Sequence, residues 1–389
     1  MKNIDIIVKY FYPVAAGIEV NIQETHKYFL DNGWNVTVHT SMDTLTEKNV
    51  LKKTEVVKGI KVIRYPYGKF GFFPKIDWEK TDVVSLHNFN IFPHFQIMLY
   101  VIWLKLMRKK KFIFSLTPHG GFNPEWRIFN KFTALIKQIY HYSVGTILIN
   151  LSMDVVRAVS EWEYDQMKSK GIRKKLLHTI INGAEDEAYM DIDKLATKEI
   201  KEKVNSYGKY ILQMGRIYMI KNNETAIKAL SMLPKNINYV IAGPVGSEEY
   251  KKELEALIKE LNLEKRVFFA GVVRGVDKYY LIKNAETMVH MALWESFCNV
   301  VYEALGQGLV PVVSNNTALP YLVKNNVNGF TLRDKDYKGV ADKINYILEN
   351  KNSVEIRKMS KVNREFGLSH SWKKVSDEIE KVYLEKGNL

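Results

Sequence analysis

The sequence has almost no cysteine and no long uninterrupted apolar run. Its one cysteine, Cys298, cannot form an internal disulfide or a cysteine-based metal centre, which fits a reducing compartment. The most apolar stretch, residues 95–107, is interrupted by Gln96 and Lys105, and it is shorter than the roughly 20 apolar residues of a membrane-spanning helix. The first ten residues read as a strand and not as a secretory signal. We therefore predict a cytoplasmic protein.

Internal repeats, low-complexity tracts and nucleic-acid recognition motifs are also missing. The chain nevertheless carries a formal net charge of +14, and residues 1–182 hold 26 lysines and arginines against 15 aspartates and glutamates. This local excess predicts an anionic partner, such as a phosphate, an acidic lipid headgroup or a nucleic acid. The alternative is a lysine-rich but merely solvated surface. A non-catalytic protein that binds anionic polymers remains a rival hypothesis, although we expect no nucleic-acid partner.

Strands alternate with helices along the whole chain of 389 residues, which favours two domains with parallel, doubly wound sheets. We predict a first domain over residues 1–185 and a second over residues 186–370. The last helix, from about residue 371 to residue 389, is expected to pack back on the first domain. Residues 182–197 are interpreted as the linker. In such sheets ligands bind at the carboxyl ends of the strands, so the site is expected in the cleft between the domains.

Three residues that follow the first strand of the second half suggest a phosphate site. Gly215 allows a turn, Arg216 offers a planar fork of donors and Lys221 offers a point charge. A leaving diphosphate needs this neutralisation as the sugar–phosphate bond breaks. The alternative is an ordinary basic loop.

Two carboxylates, Glu295 and Glu303, flank the start of a predicted helix. We expect Glu295 in the loop and Glu303 within the helix, where the first amides can meet a diphosphate or a sugar hydroxyl. The alternative is a pair of surface glutamates. The helix is followed by the apolar run Leu309-Val310-Pro311-Val312-Val313, which predicts a buried strand.

Residues 295–313 resemble the signature of the retaining glycosyltransferases of family 4, which have the GT-B fold of two Rossmann-like domains. Further segments are similar to family motifs and occur in the family order. They are Gly17, residues 82–88 with His87, Thr117-Pro118-His119-Gly120, Val159-Ser160-Glu161, Ile181-Asn182-Gly183, Gly215-Arg216 with Lys221, Asn328-Gly329-Phe330 and Ser371-Trp372.

The resemblance implies a role for each matching residue. Arg216 and Lys221 would hold the donor diphosphate, and Glu303 would accept hydrogen bonds from the ribose. Glu295 would face the donor sugar, and His119 would lie at the reacting centre. Gly17 would bring a backbone amide to the phosphate. Three more residues would contact sugar or phosphate mainly through their amides, namely Phe297, Cys298 and Asn299.

The chain departs from the family pattern at three places. Ala15-Ala16-Gly17 has one glycine where two or more are common, Cys298 stands where glycine is usual, and Met291-Ala292 replaces Pro-Ser. These departures affect the expected pose of the donor. A lone histidine is usually structural, so the role of His119 depends mainly on the resemblance, and that of His87 is weaker.

No metal or other cofactor is expected apart from the nucleotide-diphosphate sugar itself. Asp191 and Asp193 have the Asp-x-Asp spacing of metal-dependent glycosyltransferases, but they lie in the predicted linker, and such a triplet occurs readily by chance. The family resembled here uses cationic side chains and amides in place of an ion.

The first half contains two basic and aromatic segments. The run Arg108-Lys109-Lys110-Lys111 follows Trp103, and a basic amphipathic helix is predicted over residues 127–142. These segments indicate either a membrane-surface patch that serves a lipid-linked acceptor or core helices with solvated lysines. Both interpretations stay open, and peripheral binding to the cytoplasmic membrane is one of them.

The sequence thus predicts a metal-independent, retaining glycosyltransferase. It would move a sugar from a nucleotide-diphosphate donor to a glycan or lipid-linked saccharide acceptor, in cell-surface polysaccharide or glycoconjugate assembly. The rival hypotheses are a nucleotide-sugar epimerase of the same fold and an inactive transferase that acts as a partner subunit.

Overall fold

The computed structural model describes residues 2–14, 17–44 and 47–387. The chain divides into two compact units, which are Met1–Asn182 with Trp372–Leu389 and Gly183–Ser371. Each unit is a sheet with helices connecting its strands, so the predicted α/β class with two Rossmann-like sheets is confirmed. Ala15 and Ala16 of the predicted glycine-containing turn lie outside the described residues.

The sheet of the first unit has eight strands in the order β3-β4-β2-β1-β5-β6-β7-β8. All its described pairings are parallel except that of β3 with β4. The central strands are short, and β5 and β6 are buried along their whole length, as expected of a parallel sheet covered on both faces. The strands are β1 (Asn3–Ile7), β2 (Asn35–Ser41), β3 (Thr54–Val57), β4 (Ile60–Tyr65), β5 (Val83–His87), β6 (Ile113–Thr117), β7 (Val155–Ala158) and β8 (Leu177–Thr179).

Six α-helices of the described residues belong to the first unit, and the last of them follows the second unit in the sequence. Trp372, Val375, Ile379 and Tyr383 of this last helix are buried in the same core as Ile22 and Phe29. The helices are α1 (Gly17–Asp31), α2 (His94–Leu106), α3 (Lys131–Tyr140), α4 (Thr146–Ser152), α5 (Glu161–Ser169) and α15 (Trp372–Gly387).

The second unit has a fully parallel six-stranded sheet in the order β11-β10-β9-β12-β13-β14. Its strands are β9 (Lys209–Met214), β10 (Ile237–Ala242), β11 (Val267–Gly271), β12 (Thr287–His290), β13 (Val312–Ser314) and β14 (Phe330–Leu332). Its helices are α6 (Ile192–Leu195), α7 (Lys198–Tyr207), α8 (Asn223–Leu230), α9 (Glu248–Glu260), α10 (Gly275–Lys283), α11 (Asn299–Gly306), α12 (Leu319–Leu322), α13 (Tyr337–Glu349) and α14 (Val354–Gly367).

The structure corrects two predicted segments. The helix predicted over residues 127–142 is interrupted, because Asn130 caps a new helix by accepting a hydrogen bond from the amide of Thr133 at 2.8 Å. That helix, α3, then continues through a π-helical turn (His141–Gly145) into α4. The predicted linker also contains a 3₁₀ turn (Asp186–Tyr189) and α6, which Asp191 caps.

The carboxyl ends of parallel strands meet at one edge of each sheet, and polar residues collect there. In the first unit His87 ends β5, and His119 follows β6 by two residues. In the second unit Gly215 follows β9, and His290 ends β12. No helix in the described part of the chain has the length and apolarity needed to cross a bilayer.

Candidate functional site

A buried group of charges lies at the carboxyl edge of the second sheet. Lys221 donates to Glu295, and the Nε2 atom of His290 lies 2.7 Å from the same carboxylate oxygen. Burial raises the pKa of Glu295, but the charge of Lys221 and the contact with His290 outweigh it and hold this pKa at about 2. Burial likewise lowers the pKa of Lys221, and Glu295 more than reverses the effect. Both groups are therefore charged at neutral pH, so the ammonium group of Lys221 is a cation at the carboxyl edge of the sheet.

Arg216 lies beside this group on the turn that follows β9. Its guanidinium lies 5.6 Å from the ring centre of Tyr218, and its side chain is exposed. The stem of Arg216 crosses Gly246, where a Cβ atom would come within 2.4 Å of the arginine Cγ. Only glycine allows this close approach. The stem of Arg216 therefore packs over Gly246 while the residue stays exposed, and its guanidinium offers the planar fork of donors that suits a phosphate.

Glu303 lies within α11 and shares a lysine with a second glutamate. The Nζ atom of Lys278 lies 3.0 Å from Glu303 Oε1 and 2.7 Å from Glu185 Oε2. Burial, helped by the charge of Glu185, raises the pKa of Glu303 to about 7 despite the lysine. The other oxygen of Glu303, Oε2, is buried and has no hydrogen-bond partner among the residues that the structure describes. A buried acceptor of this kind is an open position for a hydroxyl donor.

The start of α11 joins the two carboxylates. Cys298 precedes the helix with φ of 82° and is buried, and its thiol has a pKa raised by burial. Phe297 is buried with its ring 5.4 Å from that of Tyr302, which anchors the turn. Asn299 is the first residue of the helix. The predicted residues from Glu295 to Glu303 thus form one continuous turn and helix start, with Glu295 in the loop and Glu303 in the helix.

Three side chains in this region have atoms suited to a metal ion. The ligand atoms of His290, Glu295 and Cys298 lie within 4.8 Å of one another. Because Lys221 donates to the Glu295 carboxylate, a cation would have to displace an ammonium group from this position. The Asp-x-Asp pair has structural contacts instead, since Asp191 caps α6 and Asp193 pairs with Lys283.

In the first unit, two buried imidazoles are in direct contact. The Nδ1 atom of His87 lies 2.9 Å from the Nε2 atom of His119. Burial lowers the pKa of both rings well below the ordinary value, and the charge of Arg157 lowers them further. Two neutral rings share one proton in this contact, so the tautomer of one determines that of the other. His87 is therefore the direct partner of His119, although its sequence signal was the weaker.

The loop that carries His119 is tight and has positive φ at His119 (51°) and Gly120 (81°). A Cβ atom on Gly121 would meet Asn88 Oδ1 at 2.0 Å, so glycine is required at the crossing of two strand ends. The amide of Gly120 donates to Glu163, and the amide of Val159 donates to the other oxygen of that carboxylate at 2.8 Å. Glu163 thereby ties the ends of β6 and β7 together.

Glu163 and Arg157 are buried charges that the sequence did not reveal as partners of the site. Burial raises the pKa of Glu163 to about 7, and it lowers that of Arg157 to about 10. Arg157 donates to the carbonyl of Ile180 at 3.0 Å and to Asn182 Oδ1 at 3.1 Å. This guanidinium therefore holds the Asn182 motif against β7.

Gly17 opens α1 in the first unit and is exposed. A Cβ atom built at this position would meet nothing within 4 Å. Packing within the described residues does not require glycine here, so there is open space at the helix start. Gly17 and His119 thus belong to the first unit, whereas the other seven predicted residues belong to the second.

The comparison with known families follows the same division. The model described as "Glycosyltransferase Family 4" matches residues 15–188, and the model described as "Glycosyl transferases group 1" matches residues 196–365. The chain belongs to the family 4 glycosyltransferases. This glycosyltransferase thus has one family model for each of its two units, and the predicted family is confirmed.

Two curated relatives illustrate the range of this glycosyltransferase family. A GDP-mannose:cellobiosyl-diphosphopolyprenol alpha-mannosyltransferase of Xanthomonas campestris is 22% identical over 87% of this chain and 85% of its own length. An N-acetylgalactosamine-N,N'-diacetylbacillosaminyl-diphospho-undecaprenol 4-alpha-N-acetylgalactosaminyltransferase of Campylobacter jejuni is 34% identical over 30% of each chain. The chain spans less than half the length of the first curated relatives it matches.

Solved structures share the fold of this glycosyltransferase over its whole length. The Anabaena protein HepE, crystallised with UDP and glucose, superposes with a TM-score of 0.73 at 18% identity and covers 99% of this chain and 100% of its own. The likeness shows the fold, and the predicted GT-B class is confirmed.

Proposed function

We propose that this glycosyltransferase moves a sugar from a nucleotide-diphosphate donor to a glycan or lipid-linked saccharide acceptor in polysaccharide assembly. The names of two relatives support this acceptor class, since one names a diphosphopolyprenol and the other a diphospho-undecaprenol. The donor class is supported by the GDP-mannose in one of those names and by the UDP-glucose complex of HepE.

The observation that carries the proposal is the buried, unsatisfied Oε2 atom of Glu303, in the same unit as the cations Arg216 and Lys221. Oε2 is buried and has no donor within the described residues, and a ribose hydroxyl would supply one. Arg216 and Lys221 would then neutralise the diphosphate, and Glu295 would face the sugar. Three further residues would complete the donor cradle at the start of α11: Phe297, Cys298 and Asn299.

The chemistry proposed needs no metal, because the leaving diphosphate meets an arginine, a lysine and helix amides. The sugar would keep its anomeric configuration, with the leaving phosphate taking the proton of the acceptor hydroxyl on the same face. His119 would contribute as a neutral imidazole that hydrogen bonds near the reacting centre. Gly17 would leave room for a phosphate against the start of α1.

The donor class can be tested by thermal denaturation with UDP-, GDP- and ADP-sugars in the presence of EDTA. A ligand that binds only the folded state raises the melting temperature. We expect one nucleotide class to do so, and we expect Glu303→Ala to abolish the shift. Glu260→Ala, on the exposed surface of α9, is the matched control and should keep it.

Two results would overturn parts of the proposal. A shift that appears only when divalent cations replace EDTA would contradict metal independence. An intact shift in Glu303→Ala would remove Glu303 from the donor site. Transfer of labelled sugar to an acceptor, with the product anomer read by NMR, separates a retaining transferase from an epimerase, which would alter the donor sugar alone.

A further inference from the structure

One side of the first unit exposes a continuous row of apolar side chains. Helix α3 has no buried residue, and its apolar residues Phe132, Leu135, Ile136 and Ile139 are all exposed, Phe132 to 72%. Their spacing of three and four residues places them on one face of the helix. The row continues through the π-helical turn into α4 with Val144, Ile147 and Leu151.

Helix α2 extends this surface. It packs against α4 and exposes Leu99, Trp103 and Leu106, the last to 73%. We call these ten residues on α2, α3, α4 and the π-helical turn the apolar stripe. An amphipathic helix in a water-soluble protein normally turns its apolar face inward. Here α3 turns that face outward, which is typical of a surface that meets another apolar phase.

An open basic cavity of about 560 Å³ lies at one end of the apolar stripe, and Leu151 lines both. We call it the basic pocket, and its cationic side chains are Lys105, Lys110, Lys111, Arg173, Lys175 and Lys386. Its two carboxylates already have donors. Asp154 lies 2.6 Å from Lys110 Nζ and 3.2 Å from Lys105 Nζ, and Asp82 accepts from the amide of Asn3.

Four cations of the basic pocket have no ion-pair partner among the described residues: Lys111, Arg173, Lys175 and Lys386. These uncompensated charges fit an anionic ligand, and a phosphate group in particular. Their concentration agrees with the basic excess of residues 1–182.

The basic pocket lies on the edge of the sheet opposite to His119. Asp82, Phe112, Asp154 and Leu176 line it, and each directly precedes one of the strands β5 to β8. His119 follows the carboxyl end of β6 instead. Because β6 and β7 are parallel neighbours, the chain between them must return from the carboxyl edge to the amino edge. The part of the apolar stripe on α3 and α4 therefore runs between the His119 edge and the basic pocket.

We propose that the apolar stripe lies on an anionic membrane, with the basic pocket holding the phosphate of a lipid headgroup. A helix with an outward apolar face and flanking cations binds in the plane of such an interface. The inference rests on the proposed function in one respect, because a lipid-linked acceptor is reached only at a membrane surface. The apolar stripe and the basic pocket lie in the first unit, whereas the proposed donor site lies in the second unit.

Sedimentation of the full-length protein with vesicles tests the proposal. We expect the protein to sediment with vesicles of phosphatidylcholine and phosphatidylglycerol but not with vesicles of phosphatidylcholine alone. Replacing the stripe residues together, by Phe132→Ser, Leu135→Ser and Ile139→Ser, should weaken binding at least about tenfold. Lys111→Glu with Lys175→Glu should weaken it by a similar factor of about tenfold, because each lysine near an anionic surface contributes to binding.

The substituted residues are exposed, so the fold should persist, and matched variants control for surface changes elsewhere. Val56→Ser with Val354→Ser removes apolar surface away from the stripe, and Lys52→Glu with Lys53→Glu reverses two exposed charges beside β3, at the far end of the sheet from β8. Both controls should bind anionic vesicles like the wild type.

Three results would overturn the proposal. They are equal binding of the wild type to both kinds of vesicle, unchanged binding of either test variant, and a wild-type dimer in light scattering that the stripe substitutions dissolve. In the last case the stripe would be an interface between copies. The melting shift with nucleotide sugars is measured on the same variants. If no nucleotide sugar raises the melting temperature of the wild type, the proposed donor class is refuted, and the vesicle result still decides the membrane proposal separately.

Discussion

The carboxyl edges of the two sheets handle buried titratable groups in opposite ways. The first unit buries imidazoles that stay neutral, with His87 against His119 and the pKa of His26 lowered to about 4. The second unit buries charges in pairs, Lys221 with Glu295 and Lys278 with Glu303. Burial penalises the charged form in both places, and in the second unit a side chain of opposite charge compensates for that penalty in each pair.

The difference suggests a division of labour between the two edges. An edge with ionised lysine and arginine is prearranged for a charged ligand and needs no reorganisation when a diphosphate arrives. An edge with neutral imidazoles offers hydrogen bonds without adding charge, which suits an uncharged hydroxyl. This contrast is open to experiment at both edges.

The largest expected effect is an acid sensitivity confined to the first unit. Burial lowers the pKa of six of its histidines, five of which are fully buried side chains, to about 4 in His141 and about 3 in His94. A histidine in the unfolded chain has a pKa of about 6.5, whereas a buried one stays neutral well below that pH. The free energy of unfolding therefore falls as the pH drops below about 6.5. By about pH 5.5 the loss is roughly 1.4 kcal/mol for each buried neutral histidine. Glu163 acts in the opposite direction, which leaves a net loss of about 5 kcal/mol.

Peptide-level hydrogen exchange, corrected for intrinsic rates, at about pH 7.5 and about pH 5.5 measures this loss. In the second unit His290 has a lowered pKa and Glu303 a raised one, so their effects nearly cancel. We expect protection to fall first in peptides of β5, β6 and α1. Equal loss in both units would contradict the comparison.

Next in size is the effect of Lys221→Ala. The substitution leaves the Glu295 carboxylate buried without its lysine and should lower the free energy of unfolding by about 3 kcal/mol. Turnover should fall about a hundredfold or more, because a cation at the diphosphate is lost. Urea denaturation and sugar transfer measure the two effects. Lys228→Ala, exposed on α8, is the control, and near-normal turnover in Lys221→Ala would refute the assigned role.

A smaller effect is expected from Glu163→Gln, which sharpens the comparison within the first unit. The backbone amides of Gly120 and Val159 both donate to the Glu163 carboxylate. In the variant, the NH₂ group of the glutamine side chain faces one of these two donors. The free energy of unfolding should therefore fall by about 1–3 kcal/mol. Because the pKa of Glu163 is raised to about 7, wild-type Glu163 stabilises the fold below its unfolded pKa, and this contribution is lost as pH rises through 7.

Urea denaturation across this pH range should therefore show less loss on the alkaline side in Glu163→Gln than in the wild type. Glu161→Gln, at an exposed position at the start of α5, is the matched control. An unchanged pH profile in Glu163→Gln would place the titration elsewhere.

The smallest effect is expected at Cys298, where the family usually has glycine. Its φ of 82° is strained for a residue with a Cβ atom, by about 1 kcal/mol. Cys298→Gly removes the strain but also the buried thiol, so stability should change by less than about 1 kcal/mol. Cys298→Ala loses the thiol and keeps the strain, so it should be the less stable of the two in urea. The reverse order would show that packing decides this position.

The sequence predicted the fold class well because buried parallel strands and their helices have strong periodic signals. It missed three strands, β3, β4 and the three-residue β14. The mixed apolar and charged residues of β3 and β4 resemble a surface loop. It also extended one helix across the Asn130 cap. The chain from Lys131 to Ser152 is helical throughout, and its sequence left open whether the apolar face packs in the core or lies at the surface. Only the structure shows that Phe132 and its neighbours face outward.

The predicted site residues were located by position after strands, which is a local property. Their partners were not, because ion pairs such as that of Lys278 with Glu303 join residues on different helices. His290 had a usable signal as the last residue of a strand, since strand ends are where polar groups collect. The roles of these residues in catalysis stay predictions until the variants are measured.

The order of synthesis gives the last helix a further consequence. Trp372, Val375 and Ile379 complete a core that otherwise consists of the first strands and α1, and the hydroxyl of Tyr383 lies 2.9 Å from Ser115 Oγ. On the ribosome, the second unit therefore has all its residues before the first does. The first unit, whose synthesis begins earlier, therefore keeps part of its core uncovered until α15 emerges.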